Sequence, residues 1–217
     1  MSEHCDFSVK FWGVRGSISI SDPNSVRYGG NTSCLEIRCD DRLLIFDAGS
    51  GLRYLGNDLV ERGDVIDADI FLTHTHYDHI CGIPFFKPFF NPQNRFRLQA
   101  GHLLPEKNLR GVLCDLMTSP LFPVPIEIFQ SKIEFHDFIV GDSLNTGSDV
   151  VVRTASLNHP DGATGYRIEF GGRSICYLTD TEHVAGELDQ TILRLIDGAD
   201  IVIYDSMFTE EEYANCV

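Results

Sequence analysis

Four side chains able to ligate a transition metal fall within six positions of one loop: His74, His76, Asp78 and His79, in Thr73-His-Thr-His-Tyr-Asp-His79. Imidazole and carboxylate are the donors that zinc-class ions prefer. In H-x-H-x-D-H, two histidines two residues apart precede an Asp and a third histidine on the turn. One loop can therefore serve two neighbouring ions. The cluster ends Asp69-Ile-Phe-Leu-Thr73, a short apolar run of the kind that forms a buried strand.

A metal site needs donors from further loops, and two candidates stand behind other strands. His159 follows the segment Val150–Ala155, and Asp180 follows Ser174–Leu178. Taken alone, His159 reads as a surface turn histidine and Asp180 as an ordinary cap. Their joint placement just past predicted strand ends is what brings them toward His74–His79.

The elements that must hold these residues are legible in outline. Phe7–Val14, Cys34–Cys39 and Leu43–Phe46 read as strands, the last two joined by an Asp40-Asp41 turn. Asp47-Ala-Gly-Ser-Gly51 breaks the third strand and opens a helix to about Glu61. Arg95–Ala100 reads as a strand and Pro105–Met117 as a helix with Pro in its first turn. Gly165–Phe170 and Ser174–Leu178 flank a Gly171-Gly172 hairpin. Glu187–Ile196 is helical, and Asp200–Tyr204 reads as another buried strand. The aromatic stretch Phe85–Phe90 suits core or a dimer surface better than a base-stacking platform. Strands alternating with helices predict a layered α/β architecture in one domain over residues 1–217.

With these motifs in place, the chain resembles the metallo-β-lactamase fold superfamily over nearly its whole length. Asp47 is similar to its first motif, His74-x-His76-x-Asp78-His79 to its second, His159 to its third and Asp180 to its fourth. Phe11-Trp-Gly-Val-Arg-Gly-Ser17, Tyr28-Gly-Gly-Asn-Thr-Ser33 and Tyr204-Asp-Ser-Met-Phe208 resemble a branch near ribonuclease Z and the phosphoribosyl cyclic phosphate phosphodiesterases.

The resemblance implies a four-layer αβ/βα sandwich holding two divalent ions, zinc first, with manganese or iron also suited to N/O donors. His74, His76 and His159 would hold one ion, Asp78 and His79 the other, with Asp180 bridging and Asp47 orienting the loop from beneath. It implies a hydrolase, foremost a phosphodiesterase acting on a small, cyclic phosphoester through a hydroxide held between the ions, with Asp78 ligating and orienting it. The family usually adds a histidine beyond the Tyr204-Asp205 strand, and no histidine follows Glu210 here. The expectation is therefore a C-terminally short chain lacking the last strand and helix. A thioester or lactone hydrolase and a non-catalytic metal-binding domain remain alternatives.

Arg15, in the Gly13–Gly16 turn, with Asn31 and Thr32 after Gly29-Gly30, could reach a substrate phosphate, since Arg offers a bidentate fork. Plain turn chemistry accounts for the same residues equally well. The net charge of −15 and the lack of any Lys/Arg-rich run argue against nucleic acid as a partner. No stretch approaches the ~20 apolar residues of a membrane span. Seven cysteines without a C-x-x-C pair read as reduced, mostly buried thiols, and the acidic N-terminus is unlike a secretory signal, so the expected compartment is the cytoplasm. Apolar surface left uncovered by a short C-terminus would favour a homodimer.

Overall fold

The computed structural model describes residues 6–147, 149–184, 186–206 and 211. Among the described residues, eleven strands form two sheets. The first runs β1 (Phe7–Gly13), β2 (Cys34–Cys39), β3 (Arg42–Phe46), β4 (Asp67–Leu72), β5 (Arg95–Ala100) and β6 (Lys132–Asp137) in sequence order. β1 to β3 are antiparallel and β3 to β6 parallel. The second sheet contains β7 (Ser143–Asn145), β8 (Val151–Leu157), β9 (Ala163–Phe170), β10 (Arg173–Leu178) and β11 (Ile201–Tyr204). Its order is β11-β10-β9-β8-β7, antiparallel except for β10 with β11.

Strand alternation assigns each side chain a layer. In β3, Leu43 and Ile45 face outward against Leu52, Leu55 and Leu59 of α1 (Gly51–Arg62), with Phe86 and Phe89 in the same cluster. Leu44 and Phe46 face inward, where the two sheets meet. There Phe46 stacks on Phe71 at 5.1 Å and meets Tyr166 edge-on at 5.2 Å. The outer face of the second sheet buries Cys176 and Leu178 against Ile192 and Leu195 of α4 (Gln190–Ile196). The result is helix, sheet, sheet, helix: the four-layer sandwich. Burial of each large side chain contributes roughly 1.5–3 kcal/mol, so the inter-sheet aromatics hold the two halves in fixed register. A part-buried ion pair adds to this: Arg42 donates to Asp69 at 2.7 Å and to Thr146 O, across the sandwich, at 2.6 Å.

Several boundaries depart from the sequence reading, each for a local reason. The helix expected from Pro105 is α3 (Leu109–Leu116), which starts later because the Asn108 side chain accepts from Gly111 N–H and sets the first turn there. Asp189 likewise starts α4 at Gln190 rather than Glu187 by accepting from Thr191 and Ile192 N–H. The Gly171-Gly172 hairpin forms as expected, both glycines having positive φ (57° and 74°), as the tight turn requires. β11 is the larger correction. Expected to be buried, it is the outermost strand of its sheet among the described residues, with Ile201 44% and Val202 42% exposed. Phe86 and Phe89 are fully buried, whereas Phe85 and Phe90 are exposed.

Candidate metal centre

The ligand-type residues meet where strands end. Asp47 follows β3, His74 to His79 follow β4 and enter α2 (Tyr77–Ile80), His159 follows β8, and Asp180 follows β10. His74 Nε2 and His159 Nε2 lie 3.0 and 3.1 Å from His76 Nδ1. Three imidazole nitrogens thus converge on one point. A second group joins His74, His79 and Asp180, and within each group the donor atoms all lie within 4.8 Å of one another. His79 Nε2 is buried without a well-formed hydrogen bond, although Asp180 Oδ2 and Asp78 Oδ2 flank it at 3.2 and 3.5 Å. A buried, unsatisfied nitrogen between two carboxylates, beside a triad of imidazoles, suits divalent cations in number, donor type and charge.

Of the nitrogens facing away from the centre, those of His74 and His79 have partners that fix the ring, whereas His159 Nδ1 is buried without a hydrogen bond among the described residues. His74 Nδ1 meets the Thr73 hydroxyl at 3.1 Å, and His79 Nδ1 meets Asp47 Oδ2 at 2.9 Å. His76 Nε2 points to Asp161 at 3.7 Å. Asp47 is fully buried and accepts from Thr73 N–H at 2.8 Å, the Thr73 hydroxyl at 2.9 Å and Tyr177 O–H at 2.8 Å. Asp47 and Asp180 both hold positive φ (59° and 55°), a left-handed conformation that Asp tolerates and that clusters at functional sites. Gly49 lets the Asp47 loop lie against α2: a Cβ there would come within 2.2 Å of Asp78 O.

Electrostatics follow from crowding carboxylates and imidazoles together. Burial, with the neighbouring His79 charge, draws His74 down to about 3, so this ring is neutral and free to ligate. Burial works against the His79 imidazolium, but Asp47 foremost, with Asp180 and Asp78, outweighs it and pushes His79 up to about 12. Asp180 is partly buried, which favours its neutral form, yet its contact with His79 prevails and holds it well below the usual carboxylate range. With three carboxylates around it, His79 therefore keeps a proton at pH 7. A metal can bind there only by displacing that proton. Loading zinc at pH 7 is expected to release about one proton per chain from His79, read as a binding heat that scales with buffer ionisation enthalpy. Heat independent of the buffer would overturn this.

The three residues expected to touch a substrate differ in exposure. Arg15 is exposed, borders a cleft of about 630 Å³ together with Asp180, and makes no ion pair among the described residues. Its Nε donates to Ile18 O at 3.1 Å, which leaves the end of the fork open. Thr32 is a correction. It is fully buried, its N–H donating to Ser50 Oγ at 2.9 Å and its Oγ1 accepting from Ser50 N–H at 2.8 Å. The Asn31 side chain is also engaged, its amide oxygen accepting from the Ser50 hydroxyl at 3.3 Å, while its backbone carbonyl accepts from Val14 and Arg15 N–H at 3.0 Å each. Both residues brace the Arg15 turn. Ser17 closes the same turn onto the centre, donating its N–H to Asp78 Oδ2 at 2.8 Å. Tyr177, Asp161 and His102, which contacts Thr75 at 3.1 Å, were not anticipated as parts of the site. Their roles depend on contacts between strands and loops distant in sequence, which no spacing encodes.

This fold is that of the metallo-β-lactamase type. The chain belongs to the β-lactamase superfamily domain family, whose model matches residues 42–215. Among curated proteins it is similar to ribonuclease Z of Haloarcula marismortui, 28% identical over 166 residues, which cover 74% of this chain and 47% of the relative. The chain thus spans about half the length of that relative. Human tRNase Z, short form, shares the fold with a TM-score of 0.66 at 18% identity, over 95% of this chain and 81% of its own. A diphosphatase of the PhnP family gives 0.63 at 19% identity, over 89% and 72%. No helix among the described residues is long and apolar enough to cross a membrane.

Proposed function

We propose that this chain is a single-domain, binuclear metal-dependent phosphodiesterase acting on a small phosphoester. The observation that carries the reading is a pair of three-donor groups sharing His74, placed beside a cleft with an open arginine. His74, His76 and His159 would hold one ion and Asp78 and His79 the other, with Asp180 available to either. Zinc is the first choice, with manganese and iron compatible with the same donors. When bound, the ions supply Lewis acidity and bring the pKa of coordinated water toward neutrality. The chain's own residues do the positioning. Arg15 draws the substrate phosphate to the cleft wall and neutralises part of its charge. Asp78, one oxygen already fixed by Ser17 N–H, orients the attacking water. The free thiols of Cys34, Cys81, Cys114 and Cys176 support a cytoplasmic, reducing setting.

The ribonuclease Z relative favours a second reading, cleavage of a phosphodiester in precursor tRNA. The charge of −15 opposes it. The test is turnover of bis(p-nitrophenyl) phosphate by metal-stripped protein reloaded with zinc or manganese, with precursor tRNA assayed in parallel. Turnover of the small diester is expected. Arg15→Ala should lower kcat/KM by about 10- to 100-fold, largely through KM, as loss of a charged bidentate contact predicts. No turnover above a metal-only control would sink the phosphodiesterase reading, and efficient cleavage of precursor tRNA alone would replace it with the second.

A further inference from the structure

The cleft beside the metal centre carries aromatic surface that holding a phosphate does not require. At about 630 Å³ it falls within the range of sites that enclose a whole small molecule. Asp180 and Arg15 border it, and so do Phe11, Tyr28 and Tyr204. Tyr28 is 72% exposed and Phe11 49% exposed. In β1 the register against β2 shifts between Phe11 and Gly13, a bulge of the kind that re-aims side chains near sites.

The Tyr28 loop is braced rather than loose. Asp22 caps a 3-10 turn over Pro23–Ser25, Gly29 N–H donates to Ser25 O at 2.7 Å, and Ile20 N–H donates to Gly30 O at 2.9 Å. Gly30 permits that approach, because a Cβ would come within 1.8 Å of Ile20 O. The Arg27 guanidinium lies over the Tyr28 ring, 5.0 Å from its centroid. A cation on one face holds the ring and leaves the rest of its surface to a stacking partner. An ordered loop that keeps a large aromatic ring in water, on the wall of a cleft already furnished with an open arginine, is suited to a planar ligand group.

We propose that the phosphoester taken by this cleft bears a planar aromatic group of nucleobase type, stacked on Tyr28 while Arg15 holds its phosphate. The proposal rests on the phosphodiesterase reading for its phosphate and adds Tyr28 as the specificity-determining residue. It is tested by calorimetric titration of the zinc-loaded chain with adenosine 5′-monophosphate and with ribose 5-phosphate, which differ only in the base. The nucleotide is expected to bind about tenfold tighter or more, the usual contribution of one base stacked on an aromatic ring. Tyr28→Ala should remove most of that preference while leaving ribose 5-phosphate binding unchanged, and Tyr28→Phe should retain it. Equal affinity for the two ligands, no binding of the nucleotide, or an undiminished preference in Tyr28→Ala would each overturn the proposal. The two readings fail separately. Turnover of bis(p-nitrophenyl) phosphate without a base preference removes only Tyr28's role, whereas a Tyr28-dependent preference without turnover removes only the hydrolase.

Discussion

Replacing His159 with alanine is expected to reduce the metal content of the zinc-loaded protein from two ions to one per chain and to lower diester turnover by about 1000-fold. His159 stands on the loop after β8, partly exposed, and comes from a different sheet than His74 and His76. Its Nε2 reaches His76 Nδ1 at 3.1 Å and its ring lies 4.8 Å from that of His74. Removing the imidazole leaves two nitrogen donors at that site, too few to hold a zinc-class ion with useful affinity. A loop side chain with no buried apolar packing costs little on truncation, so the melting temperature of metal-free protein should shift by no more than ~2 °C. Metal analysis, turnover and thermal melting together give a distinctive pattern: chemistry lost, fold kept. Wild-type metal content in His159→Ala would mean that the three imidazoles converge for some other reason.

How much of this could be read from the chain alone depends on the range of the contact involved. The H-x-H-x-D-H loop was legible because all its donors belong to one turn behind one apolar strand. β2 and β5 were placed to the residue because their apolar alternation ends abruptly at turn residues. β6 and β7 were not, since β6 is mostly half-buried and β7 spans only three residues; neither leaves a strong periodic signal. The apolar run Ile201-Val-Ile was read as burial on two faces, but a run of that kind reports hydrophobicity and not what lies against it. Thr32 shows the same limit at the site. Its position after two glycines suits a phosphate-facing turn, yet Ser50, eighteen residues on, engages its backbone N–H and its hydroxyl. The partnership of Tyr177 with Asp47 spans 130 residues and both sheets, so only the packed sandwich reveals it.

That partnership makes Asp47→Asn the sharpest test of how the scaffold holds the centre. The Asp47 carboxylate has no exposed surface and receives Thr73 N–H and the Thr73 hydroxyl on Oδ1, with Tyr177 O–H and His79 Nδ1 on Oδ2. Every neighbour is a donor, so an acceptor-only group is required on both oxygens. An amide supplies one. Whichever way it is turned, its NH₂ faces either Thr73 N–H or the Tyr177–His79 pair, and a buried donor is left unsatisfied. The expected loss is on the order of 3 kcal/mol, seen as a fall in melting temperature of roughly 6–12 °C for a chain of this size. His79 also loses the charge that fixes its ring and favours its Nε2 as a ligand, so affinity for the second ion should drop by about 10- to 100-fold. The contrast with His159→Ala is the point: one substitution empties a site and spares the fold, the other weakens both through a single buried oxygen. An Asp47→Asn protein with unchanged melting temperature and two tightly held ions would show that the four donors around this carboxylate neither stabilise the sandwich nor orient the loop.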